Sequence, residues 1–416
     1  MKNMFEFRTL GRAKTPIFST ISCAAAFMLL IFADSFIYNL SLHSIAFGTQ
    51  ENFPVVYNRE TGGARQIPLN SVKEEVERDY SEDQRNFNPP INVTEEERIA
   101  WFRTVLPEFE IFKSTRLTQQ FEGRVRSFFN GKCEVRFFMT WISPAESFGR
   151  REFIAMDSLF KAHPHGCLTI LSPTLDSRLG DRILKPLQDR EFRVLAVAPD
   201  ASFLFKDTPA EAWFVEMKSG NKDPGEIPLA QNLSNLLRLA VLYKYGGVYL
   251  DTDFIILNKF SSLRNTIGAQ SIDPVSGNWS RLNNAVLIFD KNHPLVYKFI
   301  EEFALTFDGN KWGHNGPYLV SRVVNRVARR PGYNFTVLPP MAFYPVDWNR
   351  IGDYFPRPKD QVTSKWLETK LLQLGKEAYG VHLWNKQSSK LKIEPGSIIA
   401  RLILDHCSIC EHVYTS

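Results

Sequence analysis

Residues 233–257, LSNLLRLAVLYKYGGVYLDTDFIIL, constrain the fold more than any other stretch of the chain. Leu233, Leu236, Leu237, Ala240 and Val241 recur at i, i+3, i+4, i+7 and i+8, which is the apolar stripe of one helix face. Asn232 or Ser234 is suited to cap the start of this helix, and Gly246-Gly247 to stop it. Val248-Tyr249-Leu250 then reads as a buried strand ending in Asp251-Thr252-Asp253. A helix that passes through a glycine pair straight into a buried strand belongs to a layered α/β domain, in which helices cover a mostly parallel sheet.

The end of that strand carries the chemistry. Two carboxylates at i and i+2 on extended chain project to the same side. Beyond a buried strand they lie at the sheet edge where ligands collect. Two anions so close need a neutralising cation, and hard oxygen ligands suit Mn²⁺ or Mg²⁺. Such an ion keeps positions open for phosphate oxygens, so a metal-bridged diphosphate is the ligand expected here. A bare Asp-x-Asp could equally be a solvated strand end; the helix, the glycine pair and the buried strand before it give the motif its weight.

The flanking sequence agrees with that layering. Val135–Ile142, Leu168–Leu171 and Arg193–Ala198 read as strands, and Arg150–Phe160 and Leu179–Asp189 as helices between them. No Gly-x-Gly-x-x-Gly or P-loop lysine follows any of these strands, so a bound nucleotide would not rest in a glycine-rich phosphate cradle. The 33 Phe residues are enough for a large core. The expected fold class is α/β: a single Rossmann-like catalytic domain with a mixed, mostly parallel sheet.

The N-terminal part reads differently. Lys2, Arg8, Arg12 and Lys14 precede 19 uncharged residues that end at Asp34. As a helix this run is roughly 28 Å long at about 1.5 Å per residue, long enough for a thin secretory-pathway bilayer. The basic flank puts the N-terminus in the cytosol. The apolar run exceeds a cleaved leader's core and no small-x-small cleavage site follows it, which favours an uncleaved anchor. The expected organisation is a cytoplasmic tail over 1–15, a transmembrane signal-anchor over 16–38, a lumenal stem over 39–112 and a catalytic domain over 113–416, with its Asp-x-Asp region at about 130–290. Sequons at Asn92, Asn232, Asn278 and Asn334, and four cysteines beyond the anchor, suit an oxidising lumen. Cys133, Cys167, Cys407 and Cys410 allow three connectivities; Cys407-x-x-Cys410 reads as a structural disulfide or as ordinary thiols, since no second pair stands at zinc-finger spacing. The balance of 50 Lys+Arg against 45 Asp+Glu leaves a modest basic surplus, concentrated in the C-terminal part, which suits an anionic ligand.

The run Arg238…Tyr245-Gly246-Gly247-Val248-Tyr249-Leu250-Asp251-Thr252-Asp253 resembles the signature of glycosyltransferase family 32, and within it the α-1,4-galactosyltransferase-like proteins. The resemblance continues through Asn283-Asn284-Ala285-Val286, His314-Asn315-Gly316-Pro317-Tyr318 and Val381-His382-Leu383-Trp384-Asn385, and covers about residues 130–410. It implies a type II Golgi membrane enzyme of GT-A fold. Such an enzyme transfers a hexosyl residue, galactose foremost, from a nucleotide sugar (a UDP-sugar foremost) to a glycan or glycolipid acceptor, with retention and with Mn²⁺. The resemblance makes Asp253 the main metal ligand, with Asp251 supporting the metal and holding the ribose. Trp141 would stack on the donor base, and Arg238 would reach the donor sugar or its phosphates. His382 would be a further metal ligand and Trp384 would pack on the leaving diphosphate. Asn283, Asn284 and the Gly316-Pro317 turn would line the pocket where sugar meets acceptor. Asn235 departs from the family's usual aspartate at this position; it donates as well as accepts but carries no charge, which leaves the donor open.

Each residue also has a plainer reading. Trp141 could be core packing, and Arg238 could pair with an acid on its helix. His382 could be a structural histidine, and Asn283-Asn284 a turn before a strand over Ala285–Phe289. Arg322, Arg326, Arg329 and Arg330 read as a solvated helix face rather than a nucleic-acid patch. Two other functions compete with transfer: a phosphatase using Asp251 as nucleophile, against which Ile255 stands where Thr or Val is expected, and a non-catalytic Golgi glycan-binding subunit of the same fold. The stem allows homo- or hetero-dimers.

Overall fold

The computed structural model describes residues 87–328 and 330–410. The expected cytoplasmic tail and the anchor over 16–38 lie outside the described residues, and among the described residues no helix is long and apolar enough to cross a membrane.

Seven strands form the main sheet in the order β3-β2-β1-β4-β7-β6-β8: β1 Arg136–Thr140, β2 Cys167–Leu171, β3 Arg193–Val197, β4 Gly247–Leu250, β6 Thr266–Ile272, β7 Trp279–Phe289 and β8 Thr336–Leu338. Strand β7 runs antiparallel to both neighbours, while β1 is parallel to β2 and β4, β2 to β3, and β6 to β8. The sheet is therefore mixed and mostly parallel. The chain winds outward from β1 to β3 and returns to place β4 on the other side of β1. That reversal opens a crevice beyond the carboxyl ends of β1 and β4. A second, two-stranded sheet pairs β5 Phe254–Ile256 with β9 Gly380–His382.

Strand alternation sorts the side chains into two cores. Phe138 and Tyr249 face the larger cluster, with Leu233, Leu236 and Leu237 of the helix Leu229–Tyr245. Phe137, Met139, Val248 and Leu250 face the other, under the helices Arg150–Ala162 and Arg178–Gln188. A third cluster gathers Ile255, Val381 and Leu383 with the helices Gln361–Glu377 and Ile398–Asp405.

The helix before β4 starts earlier than its sequence suggests. Pro228 is its N-cap, so Asn232 and Ser234 lie inside it and neither caps it. It ends as expected at Gly246, whose φ of 65° and ψ of 163° only glycine adopts readily.

The stem boundary at residue 112 is corrected. Thr94 caps the helix Glu95–Val105 in a reciprocal box with Glu97, and Arg98 forms a two-bonded pair with Asp223 at 2.7 Å. Phe102, Phe109 and Phe112 are buried in the larger core. This segment lacks sustained apolar periodicity because it contributes isolated phenylalanines from short turns of helix, and those turns are part of the folded domain.

The four cysteines pair as Cys133–Cys167 and Cys407–Cys410. The first ties the approach to β1 to the start of β2; the second closes a loop whose Ser408 and Ile409 N–H groups both donate to the buried carboxylate of Asp157.

Candidate active site

Asp251 follows β4 directly, and its backbone N–H donates to the Ala285 carbonyl of β7, extending the ladder by one residue. Its Oδ1 is tied: the Tyr249 hydroxyl donates to it at 3.1 Å, and Arg238 Nη1 stands 3.1 Å away. Tyr249 is buried, and burial lifts its pKa far above the ordinary phenol value, which keeps it a donor. Its hydroxyl also meets Thr140 Oγ1 at the end of β1 (2.7 Å), and Thr140 meets Ser234 Oγ of the helix (2.5 Å). A hydroxyl chain thus joins both strand ends and the helix to one carboxylate oxygen.

Arg238 is 6% exposed and fully engaged. It donates to the Asn284 carbonyl (2.8 Å) and to Ser234 Oγ (3.2 Å), and its guanidinium lies 4.4 Å from the Tyr249 ring centroid. The acid it pairs with, Asp251, stands just past the end of β4, not on its own helix.

Asp253 is held from the opposite direction. Its Oδ2 accepts the Asn385 backbone N–H at 2.8 Å, and its carbonyl accepts the Leu383 N–H at 2.9 Å. The chain makes this turn because Trp384 adopts φ 55° and ψ 57°, a left-handed conformation that costs a bulky residue on the order of 1–3 kcal/mol. The Asn385 side chain donates to the buried Glu152 (3.3 Å), whose other oxygen takes the Gly149 N–H at the start of Arg150–Ala162.

Each carboxylate therefore has one oxygen tied and one left over. The remaining oxygens converge on His382, with Asp253 Oδ1 at 3.1 Å and Asp251 Oδ2 at 3.8 Å from Nε2. One ligand atom from each of the three residues lies within 4.8 Å of the others. Both ring nitrogens of His382 are buried without an aligned hydrogen-bond partner, although Nε2 is so near Asp253. A buried imidazole with unused nitrogens beside two spare carboxylate oxygens is a nitrogen–oxygen donor set that fits Mn²⁺ or Mg²⁺. With no ion, burial disfavours the imidazolium, but Asp253 and Asp251 outweigh it and hold the His382 pKa up at about 9. For Asp253, burial is outweighed by His382 and the Asn385 N–H, and its pKa falls below the ordinary value.

The other expected site residues are placed as follows. Trp384 stacks edge-on to His382 with ring centroids 4.3 Å apart, and its Nε1 donates to the Val346 carbonyl. Trp141, half-buried after β1, packs edge-on to Phe148 and donates to the Pro144 carbonyl. Asn284 donates to Asn235 Oδ1 (2.9 Å), and Gly316 abuts Asn235 so closely that a Cβ there would stand 3.0 Å from Oδ1. Asn283 turns away: buried, it bonds Gln270 and the Ala285 N–H. Both asparagines lie inside β7, which begins at Trp279, so they do not form a turn before it. Asn232 is also corrected as a sequon, since its side chain is buried and accepts from Asn315. Arg322 and Arg326 are not simply solvated; both pair with the buried Glu302.

Several functional contacts had no counterpart in the sequence reading. Tyr249 and Thr140 as a hydroxyl chain, and Glu152 with Asn385 as the brace behind Asp253, depend on segments far apart in the chain. Lys386, over the Trp312 ring at 3.5 Å, joins the loop after β9 to the loop before Gly316.

Two family models match the chain. The alpha 1,4-glycosyltransferase conserved region matches residues 288–414, and the glycosyltransferase sugar-binding region containing DXD motif matches residues 149–272. Rat lactosylceramide 4-alpha-galactosyltransferase is 32% identical over 277 residues, 63% of this chain and 71% of that protein. Human alpha-1,4-N-acetylglucosaminyltransferase is 25% identical, over 50% of this chain and 58% of its own. An uncharacterized Arabidopsis thaliana protein is 32% identical over 70% of this chain, which spans 45% of that protein's length. Among solved structures, the glycosyltransferase GlyE of Streptococcus pneumoniae is similar over 68% of this chain and 62% of its own, at 12% identity and a TM-score of 0.38. The chain belongs to the α-1,4-glycosyltransferase family of Asp-x-Asp-containing, family-32-type sugar transferases.

Proposed function

We propose that the protein is a Golgi type II membrane glycosyltransferase that moves a hexosyl residue, galactose foremost, from a UDP-sugar to a glycan or glycolipid acceptor, with retention and with Mn²⁺. The observation that carries the reading is the convergence of Asp251 Oδ2, Asp253 Oδ1 and His382 Nε2 beyond the β1–β4 crevice while the partner oxygens are tied back. When bound there, the cation would supply charge neutralisation for a departing nucleoside diphosphate.

The chain's own residues do the positioning. Tyr249 and Arg238 orient Asp251, and the Asn385 N–H orients Asp253, so little reorganisation is needed when an anionic ligand arrives. Arg238 also offsets the negative charge of Asp251 from behind. Trp384 walls the site beside His382 and excludes water from it. Asn235 and Asn284 form an amide pair at the helix–β7 junction, whose remaining donors and acceptors suit sugar hydroxyls.

The test is transfer and hydrolysis with UDP-galactose, UDP-N-acetylglucosamine and GDP-mannose, each with and without Mn²⁺, comparing wild type with Asp253→Ala. Mn²⁺-dependent turnover of a UDP-sugar that the variant loses by at least about a hundredfold supports the reading. Equal rates for the two proteins reject the role given to Asp253. Nucleotide binding that proceeds identically without a cation rejects the metal site.

A further inference from the structure

The sequon Asn334-Phe335-Thr336 lines a cleft of about 670 Å³, within the roughly 300–1,000 Å³ usual for small-ligand sites. The cleft lies at the end of the sheet opposite Asp251. Thr336 pairs with Thr266, Thr266 with Ile288, and Ile288 with Val248 near the start of β4. The sequon's backbone is pinned at both ends. His293 is buried, and its Nδ1 accepts the Leu295 N–H, which leaves Nε2 to donate to the Asn334 carbonyl at 3.0 Å. The Thr336 N–H donates to the Asn265 carbonyl at 2.8 Å. The Asn334 amide itself is exposed and makes no hydrogen bond among the described residues. Around it, Arg264 Nε and Asn265 Nδ2 both donate to Asp290 Oδ2, at 2.8 and 2.9 Å, and the Arg264 side chain is 79% exposed. Phe335, half-buried against the larger core, lines the cleft beside them.

We propose that Asn334 carries an N-linked glycan whose first sugar is seated in this cleft. The modification joins Nδ2 of Asn334 to the anomeric carbon of an N-acetylglucosamine as that carbon's bond to a lipid-linked diphosphate breaks. The diphosphate leaves with the electron pair, and the amide gives up one proton. The cleft suits what is then tethered at its edge. A pyranose packs its C–H groups on an aromatic ring, while its hydroxyls and acetamide take hydrogen bonds from guanidinium, amide and carboxylate groups. Asn232 is the opposite case: it is 4% exposed inside a helix and accepts from Asn315, so a glycan there is incompatible with the fold. Asn92 and Asn278 are exposed as well, and what distinguishes Asn334 is the cleft bordered by its own side chain. At the far end of the sheet from Asp251, the glycan leaves the β1–β4 crevice open. The inference rests on the lumenal placement proposed above, not on the transfer chemistry.

The test expresses the full chain in a eukaryotic secretory host. Microsomes are treated with protease with and without detergent, and glycopeptides of the purified protein are mapped by mass spectrometry. The expected result is a domain protected until detergent is added, a glycan at Asn334 and none at Asn232. Asn334→Gln and Thr336→Val should each lose the Asn334 glycan; the first removes no hydrogen bond of the fold, and the second keeps a strand-compatible residue in β8. Backbone amides at 264–266 and 332–336 should exchange hydrogen several-fold more slowly in wild type than in either variant, because a seated sugar covers them. An unmodified Asn334 in a protected domain overturns the proposal while leaving the lumenal placement intact. A glycan at Asn334 with unchanged exchange overturns the seat. Digestion without detergent refutes the lumenal placement and this proposal with it, and transfer measured on the purified protein then judges the enzyme reading separately.

Discussion

His163 is expected to make the fold acid-labile. It follows the helix Arg150–Ala162, is 3% exposed, and lies between the rings of Phe137 and Phe260 at 4.9 and 5.7 Å. Its Nε2 accepts the Phe260 N–H at 3.1 Å, a bond that only a ring unprotonated at Nε2 can make. Burial, reinforced by Lys259, lowers its pKa from 6.5 to about 4. The unfolded chain therefore takes up a proton below pH 6.5 that the folded protein refuses until about pH 4, so stability falls as pH drops through that window. The difference amounts to about 3 kcal/mol in total, and about 2.5 kcal/mol by pH 4.5. Urea unfolding followed by tryptophan fluorescence, with disulfides intact, should show this as a lower midpoint at pH 4.5 than at pH 7. His163→Gln keeps an acceptor for Phe260 but cannot titrate, so its midpoint should fall by correspondingly less. The other buried histidines titrate in both proteins and cancel in the comparison. Identical pH dependence in wild type and variant would refute the argument.

Two further substitutions test the frame of the site. Gly246→Ala places a Cβ 2.5 Å from the Lys291 backbone nitrogen at a backbone angle that L-residues avoid, and should cost at least about 2 kcal/mol in denaturant unfolding. Arg238→Lys keeps the charge but not the fork that joins Asp251, Ser234 and the Asn284 carbonyl; a loss of about 2–3 kcal/mol is expected, with weaker Mn²⁺ binding by calorimetry at unchanged secondary structure. Unaltered Mn²⁺ affinity in that variant would separate Arg238 from the orientation of Asp251.

What the sequence made legible was the local part of the site. The apolar stripe from Leu233 to Val241, the glycine stop and the strand end at Asp251 all follow from interactions within about 20 residues, where periodicity and backbone sterics decide. Asn283 and Asn284 went against their usual turn preference because β7 runs on past the end of β4, and inside the sheet their amides find Gln270 and Asn235. Phe102 and Phe112 were equally opaque, since the helix Glu95–Val105 buries only one apolar side chain, beside Arg98, and Phe112 lies in a three-residue turn too short to show a period. Which carboxylate oxygen is tied and which is free could not be read at all. That choice depends on Tyr249 at one end and on Asn385, 132 residues from Asp253, at the other.

The third ligand shows how a distant core can set coordination chemistry. His382 reaches the aspartates only because β9 pairs with β5 in the register Phe254–His382 and Ile255–Val381. Side chains on a strand alternate, so a slip of one residue would turn His382 to the opposite face. The register is held by apolar contacts: Ile255, Val381 and Leu383 all enter the third cluster, away from the aspartates, and Gly380 lies so close to Phe254 that a Cβ would stand 2.2 Å from its ring. Burying those three residues on one face necessarily presents His382 on the other. The position of the imidazole is thus fixed by hydrophobic packing before any cation is bound, which is why both of its nitrogens are enclosed without an aligned hydrogen-bond partner.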